Sequence, residues 1–472
     1  MTTLLIVESP AKCKKIESYL GNNYKCAASF GHIRDLNGGL KAIDISNDFT
    51  PSFKLLKEKT KYVSNLRSLI KNAKEVILAT DDDREGEAIA WHLCQVFKLP
   101  VKTTKRIIFH EITKNAIVKA VNNPTIVDMD MVYAQQSRQI LDILVGFMVS
   151  PILWKNISRN TKTGLSAGRC QTPALRIVYE NQKEIDDSPS RKAYDTVGHF
   201  TEKNVEFKLN KHFENDDDVG DFLENSIEFD HQYSVSKSKI VKKKPPLPFT
   251  TSALQQKSSN ECHFSPKMTM RIAQTLYENG FITYMRTDSK TYSKDFIQES
   301  KKFIKEKYGK EYINKNVDLL STKKSKTTEK KTKKGKTNSK SAEKKDMAQE
   351  AHEAIRPTKI YLDELPDTID SRGKKLYNLI RKNTLESCMS EAEYYSITAV
   401  ITAPDKYNYK NISEKIKFPG WKIVGGYEKD NLIYEFLSKL NKKNVKYNKI
   451  YSKQALKDLK THYTEALSLI HI

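Results

Sequence analysis

Five carboxylates, Asp81, Asp82, Asp83, Glu85 and Glu87, fall within seven residues just after an apolar run, VILA at 76–79, that predicts a strand. Like charge at this density is costly unless a cation neutralises it, and hard oxygen donors select Mg2+. The carboxyl ends of strands in an open α/β sheet are also where ligands bind. Glu8 ends a second such run, TLLIV at Thr3–Val7, and can complete the set, with Arg84 alongside. An acidic first turn complementing a helix dipole accounts for the same residues without a metal.

Other chemistry-bearing residues are more sparsely placed. Glu8 and Lys12 stand four apart in ESPAK at a strand-to-helix turn. They can share a phosphate or work as acid and base, although a helix ion pair explains the spacing equally well. FITYMRTDS, 281–289, follows a helix ended by Gly280. A tyrosine hydroxyl, with a pKa of about 10, is a poor nucleophile unless cations stabilise the phenolate. Arg286, two residues along an extended segment, would share a face with Tyr284 and grip a phosphate bidentately. Composition does not single out Tyr284 from the chain's 23 tyrosines. AHEAIRPT, 351–358, brings His352 and Arg356 together, and GLSAGRCQ, 164–171, offers small residues whose backbone N–H groups can approach phosphates. A turn and a surface histidine explain these as well. The GKT at 335–337 lacks the glycine of a phosphate-binding loop, because position 330 is Lys, and nothing points to ATP.

The elements that must position these residues are legible in outline. Strand-like runs at Thr3–Val7, 76–79 and 106–109 alternate with helical patterns over the first ~130 residues, as in an α/β layer with a mostly parallel sheet. Ser9-Pro10 is a helix start, an N-cap followed by proline. Residues 130–188 read as mainly helical, 189–243 as β, 251–308 as helical again, and 374–389 as a further helix. YYSITAVITA and NLIYEFL read as strands. The formal charge is +23, of which +9 sits in the Lys/Ser/Thr-rich stretch 322–345. That stretch cannot bury enough apolar surface to order itself, so 316–347 is expected to be a disordered insert. The dispersed remainder favours a polyanionic partner, most simply nucleic acid. The six cysteines are scattered with no C-x-x-C pair, which argues against a zinc ribbon or disulfide scaffold and suits a reducing compartment. No signal peptide is recognised, and the most apolar stretch, 141–154, is short for a membrane span and contains Asp142 and Pro151.

Taken in order, LLIVESPAK, ASFGHIRDL, ATDDDREGEAIAWHL, FHEITKNAI, AQQSRQILD, GLSAGRCQTPALR, PFTTSALQQ, ENGFITYMRTDS and AHEAIRPT closely resemble type IA DNA topoisomerases of the bacterial topoisomerase I branch, over nearly the whole chain outside the insert. The resemblance implies a multi-domain α/β plus α and β architecture: a Rossmann-like Toprim domain followed by a torus of four domains. It assigns 1–130 to Toprim with an excursion near 50–70, 131–188 to the first part of a helical strand-binding domain, and 189–243 to the first part of a β-rich arch. It assigns 244–392 to the tyrosine-bearing domain, 393–440 to the second part of the arch, and 441–472 to the start of the strand-binding domain's second part. It implies Mg2+ on Glu8, Asp81 and Asp83 with Glu85 nearby, no ATP and no zinc. Tyr284 would form a 5′-phosphotyrosine bond, helped by Arg286, Lys12 and Glu8, so that negatively supercoiled DNA is relaxed without a nucleotide cofactor. His32, Arg84, Arg138, Gln139, Asp142, Phe147, Trp154, Ser166, Ala167, Gly168, Arg169, Cys170, Gln171 and His352 would bind the strand. The enzyme is expected to act as a monomer on a single-stranded segment of DNA, away from membranes, in the cytoplasm or nucleoid. Three departures matter. Gln139 and Ile143 stand where bacterial members carry Arg, the Lys-rich insert lies outside the family core, and LSLIHI after Ala466 does not resemble the family's continuation. The last suggests a truncated frame and, as an alternative function, an inactive or weakly active DNA-binding fragment.

Overall fold

The computed structural model describes residues 2–157, 164–188, 191–321, 353–441 and 443–468, with 467 and 468 described by their backbone alone. In chain order the first lobe holds β1 (Thr3–Val7), α1 (Pro10–Leu20), β2 (Tyr24–Ala28), the two-residue strands β3 (Arg34–Asp35), β4 (Ile43–Asp44), β5 (Thr50–Pro51) and β6 (Lys54–Leu55), α2 (Thr60–Lys71), β7 (Glu75–Leu78), α3 (Arg84–Phe97), β8 (Lys105–Arg106) and α4 (Lys114–Asn122). The parallel sheet has the order β2-β1-β7-β8. TLLIV is apolar throughout because both faces of β1 are covered. Leu5 and Val7 pack toward α1 and α4, and Leu4 and Ile6 toward α2 and α3. The run RIIF contributes only Arg106 to the ladder of β8, since Arg106 also exchanges backbone bonds with Thr125. Ile107 continues with a single bond to the Leu78 carbonyl.

Two helices follow, α5 (Met129–Asn156) and α6 (Gln171–Asp186). By length and composition α5 suffices to cross a membrane, so the shortness of 141–154 no longer excludes that. Its Val132, Gln135, Gln136 and Ser150 are nonetheless buried against protein. Next come β9 (Arg191–Phe200), β10 (Val205–Phe213), α7 (Asp216–Asn225), β11 (Tyr233–Val235) and β12 (Lys239–Lys243). α7 interrupts the expected β region. Asn215 caps it by accepting from the Asp218 N–H, and three aspartates crowd its first turn, an N-terminal signal hidden in a charge run.

The lobe carrying Tyr284 contains α8 (Thr251–Cys262), α9 (Pro266–Glu278), α10 (Lys294–Lys307) and α11 (Ser371–Cys388). Residues 316–321, expected in the disordered insert, are instead a turn at 316 and a 3-10 turn over 317–321, with Val317 buried in the core beneath α10. The rest of the insert expectation falls on 322–347, outside the described residues. β13 (Ala392–Thr402), β14 (Asn408–Phe418), α12 (Leu432–Lys439), β15 (Tyr447–Lys457) and α13 (Glu465–Ser468) complete the chain. The arch sheet runs β11-β13-β14-β10-β9-β15, with β12 also on β13. NLIYEFL is not a strand: Asn431 accepts from the N–H groups of Ile433 and Tyr434, and Tyr434 and Leu437, three apart, bury one face of α12. Residues 447–457, expected at the start of a helical domain, are instead the edge strand of this sheet, paired antiparallel with β9.

The tyrosine lobe returns onto the first lobe and shares one hydrophobic core with it. Val7, Ile107, Phe109 and Ile112 meet Leu276, Tyr277, Ile282 and Tyr284 there. The Tyr284 N–H donates to the His110 carbonyl at 2.8 Å, and Lys15 bonds the Asn279 carbonyl. The chain therefore closes a ring at this contact.

Candidate active site

Glu8 follows β1, Lys12 lies in the first turns of α1, and 81–83 form the turn between β7 and α3. Asp83 caps α3, its Oδ1 accepting from the Gly86 N–H at 2.8 Å. The turn is held from beneath by Arg106, which is fully buried. Arg106 pairs with Glu87 at 2.6 Å and donates to the carbonyls of Thr80 and Asp81 at 3.0 and 2.9 Å. Glu87 also accepts from the Asp128 N–H. It is thereby removed from the acidic set that the sequence suggested and becomes a structural ion pair.

Above that support, Lys12 is fully buried with its ammonium on Asp81, whose backbone N–H donates to Glu8 Oε1 at 2.9 Å. Asp83 Oδ2 accepts from the Tyr284 hydroxyl and faces Arg286 Nη1 at 3.2 Å. The Tyr277 hydroxyl reaches Asp81 at 3.4 Å, and its ring meets Tyr284 edge-on at 5.1 Å. His32 Nε2 lies 2.9 Å from Glu85, which also accepts from Gln135 at 3.1 Å. Glu8, Asp81, Asp83, Glu85, Tyr284 and Arg286 border one cavity of about 440 Å³ between the lobes. Residues some 200 positions apart in the chain thus converge, although Tyr284 itself is only 3% exposed.

Burial pushes the Glu8 carboxyl up to about 7, with Asp81 adding to the rise and Lys12 opposing it. Burial works against the Lys12 ammonium, but Asp81 and Glu8 outweigh it and raise its pKa. Tyr284 is raised well above an ordinary phenol, first by burial and then by Asp83 and Asp81, with Arg286 opposing. The His32 contact holds Glu85 below its usual value. In this arrangement burial and the two carboxylates together favour the protonated phenol.

The donors suit a hard divalent cation, and Asp81 adds to the rise that burial gives Glu8. The expected constellation of Glu8, Asp81, Asp83 and Glu85 is nevertheless not assembled. Among the described residues no three His, Cys, Asp or Glu side chains converge on a metal position. Asp81 is turned to Lys12, Asp83 to Tyr284 and Arg286, and Glu85 to His32. A metal would therefore require Asp83 and Glu85 to exchange these partners for it.

Apart from His32, Arg84 between Asp83 and Glu85, and Arg138, whose charge acts on Glu85, the expected strand-binding residues lie away from this cluster. Arg84 is exposed at the start of α3, and Arg138 and Gln139 lie midway along α5. Asp142 pairs bidentately with Arg169 at 2.9 and 3.2 Å, and Trp154 Nε1 donates to the Leu165 carbonyl at 2.6 Å. The Ala167 N–H donates to Ser150, the Gly168 N–H to Thr172, and Gln171 to Ser166, while Cys170 is exposed. Leu165, Ala167 and Arg169 thus already spend polar groups on α5, while Gly168 and Gln171 spend theirs on the loop and the start of α6. Phe147, largely exposed, packs its ring on Gly39. His352 lies outside the described residues. Sequence reasoning passed over Arg106, Tyr277 and Glu111. Glu111 stands 3.0 Å from Arg356, which is buried and also bonds Glu353.

The family model for DNA topoisomerase matches residues 126–471, and the Toprim domain model matches 3–112. DNA topoisomerase 1 of Campylobacter jejuni subsp. jejuni is 39% identical over 455 residues, covering 92% of this chain and 61% of that protein. The enzyme of the same name from Helicobacter pylori strain 26695 is 37% identical over 500 residues, covering 100% and 63%. The chain spans about three-fifths of the length of these curated relatives. Full-length topoisomerase I from Thermotoga maritima superposes with a TM-score of 0.79 at 34% identity, covering 99% of this chain and 74% of that one.

Proposed function

The chain belongs to the DNA topoisomerase family, with a Toprim domain at its amino end, and from that premise we propose that it relaxes negatively supercoiled DNA without ATP, through a 5′-phosphotyrosine intermediate on Tyr284. The observation that carries this is the meeting of Tyr284 with Asp83 at a site where Lys12, Glu8 and Arg286 also converge from distant parts of the chain.

Tyr284 Oη attacks a backbone phosphorus as its proton passes to Asp83, which already accepts its hydrogen bond. The P–O3′ bond breaks, and the strand end bearing the 5′ phosphate becomes the tyrosine ester. Arg286, half exposed toward the cavity, binds the phosphate's non-bridging oxygens and stabilises the phenolate. Lys12 keeps its proton because Asp81 and Glu8 favour the ammonium, so it can protonate the departing O3′. Glu8, near 7, can take a proton back when O3′ returns. Glu8, Asp81 and Asp83 would hold Mg2+, whose charge offsets theirs and that of the phosphate. The ester conserves the phosphodiester's energy, so resealing needs no nucleotide. The scattered, unpaired cysteines and the proposed DNA substrate support a reducing, DNA-containing compartment.

Incubation with a single-stranded oligonucleotide and Mg2+ should yield a covalent adduct at the 5′ side of the break that disappears in Tyr284→Phe. An oligonucleotide that is bound and shifted but never trapped by the unaltered chain would instead mark a DNA-binding fragment.

A further inference from the structure

We propose that the groove between α9 and α11 seats the strand downstream of the break, the one that stays tied to Tyr284. The inference rests on the cleavage reading above and adds a polarity to it.

Two cavities meet at Arg271. One is the active-site cavity, which α9 borders with Met270, Arg271 and Gln274. The other, of about 520 Å³, opens on the far side of Arg271, where Lys267 and Arg372 join it over an apolar floor of Ile272, Leu276 and Ile369. All three cations are exposed, and among the described residues none has an ion-pair partner. Other cations of the same lobe are matched, Lys257 with Glu261, Lys301 with Asp318, Lys374 with Asp367 and Arg381 with Asp363. Those that are not, such as Lys290, Lys302 and Lys305, border neither cavity. The one carboxylate lining this second cavity, Asp370, caps α11 by accepting from the Gly373 N–H at 2.8 Å and forms an ion pair with none of the three. Three unneutralised cations beside a catalytic cavity, over a floor suited to sugar and base edges, fit a run of phosphodiesters.

The chemistry assigns which run. Breaking P–O3′ leaves the downstream strand on Tyr284 and the upstream 3′ end free, beside Lys12 and Glu8 on the other lobe. The groove is built entirely from 265–276 and 368–373, on the tyrosine's own lobe, so a strand lying in it moves with Tyr284 when the lobes part.

The test uses the full chain with Mg2+ and oligonucleotides of fixed upstream length, shortened one nucleotide at a time downstream of the mapped break. Adduct yield should rise with downstream length in the unaltered protein. Lys267→Ala/Arg372→Ala should lose that gain while matching it on the shortest substrates. In the Tyr284→Phe background, the slope of log affinity against log salt should fall by about 1.4 for long oligonucleotides, which is about 0.7 for each of two phosphates no longer neutralised, and stay unchanged for short ones. A uniform loss at every length, or no loss at any, overturns the assignment. Absence of any adduct from the unaltered chain defeats the cleavage reading instead. The salt slopes then still decide: an unchanged slope removes the groove as a DNA seat, and a reduced one keeps it.

Discussion

Lys12 has no exposed surface and one close acidic partner, Asp81, so its charge is tolerable only while that pair persists. Replacing it with methionine leaves Asp81 and Glu8 buried without their cation, and breaking such a pair costs about 3–5 kcal/mol. Mg2+ can stand in for the missing charge. Lys12→Met should therefore melt well below the parent in chelator and recover more on adding Mg2+ than the parent gains; equal Mg2+ shifts in both proteins would count against carboxylates poised for a metal. Glu386, away from the site, gives a second residue-level outcome. Burial pushes it up to about 7, despite Lys382 and Lys257. Below its unfolded value of about 4.5 both states are protonated and the group costs nothing. Between there and 7 the unfolded chain loses its proton first, so stability falls as pH rises, by about 3 kcal/mol in all, and is then level. Glu386→Gln should match the parent near pH 4 and melt above it at pH 8, as scanning calorimetry at the two pH values will show.

At the scale of elements, the turn between β7 and α3 is fixed by contacts that leave no room for a side chain at Gly86. A Cβ there would sit 2.0 Å from the Asp81 carbonyl oxygen. Gly86→Ala must displace the turn that aims Asp81 and Asp83, at a cost of about 1–3 kcal/mol, and should abolish adduct formation while leaving circular dichroism unchanged. The need for glycine at this position is not visible from spacing alone, because the contact that forbids a Cβ is tertiary. The same limit runs through the comparison of sequence with structure. β1 and the start of α1 were legible because an unbroken apolar run and a Ser-Pro cap are local signals. α12 was not, since seven residues with apolar positions three apart satisfy a strand pattern too. Arg106 was illegible because arginines are ordinarily exposed, and Glu87 was misplaced with the acidic cluster because only the fold brings Arg106 beneath it. Tyr284 became identifiable through family resemblance, and Tyr277, one helix earlier, carried no signal that set it apart from the other tyrosines.

At the scale of the whole molecule, the strand passage proposed above requires the two lobes to part, and the structure shows what resists it. The lobes share an apolar core, and buried charge spans them: besides Asp83 with Tyr284 and Arg286 at the site, Arg356 on the tyrosine lobe, 3% exposed, pairs with Glu111 of the first lobe at 3.0 Å and with its own neighbour Glu353 at 2.7 Å. Its guanidinium also stacks 4.2 Å above the Phe296 ring. Opening removes Glu111 and leaves Glu353, so the cation is never stripped of both partners and the pair behaves as a releasable latch. Glu111→Gln keeps the shape and removes one charged contact, weakening closure by about 1.5 kcal/mol, or roughly tenfold in the open-to-closed ratio. With fluorophores on α4 and α11, energy transfer in the covalent complex should show the open population rise accordingly, while adduct formation itself persists. Glu353→Gln, which alters only the pairing within one lobe, should leave that ratio much closer to the parent's. An equal shift from both substitutions would mean that Arg356 merely holds its own lobe together. The barrier would then rest on the apolar contact around Ile112 and Ile282 together with the hydrogen bonds of Tyr284 and Arg286 to Asp83 and of Tyr284 to the His110 carbonyl.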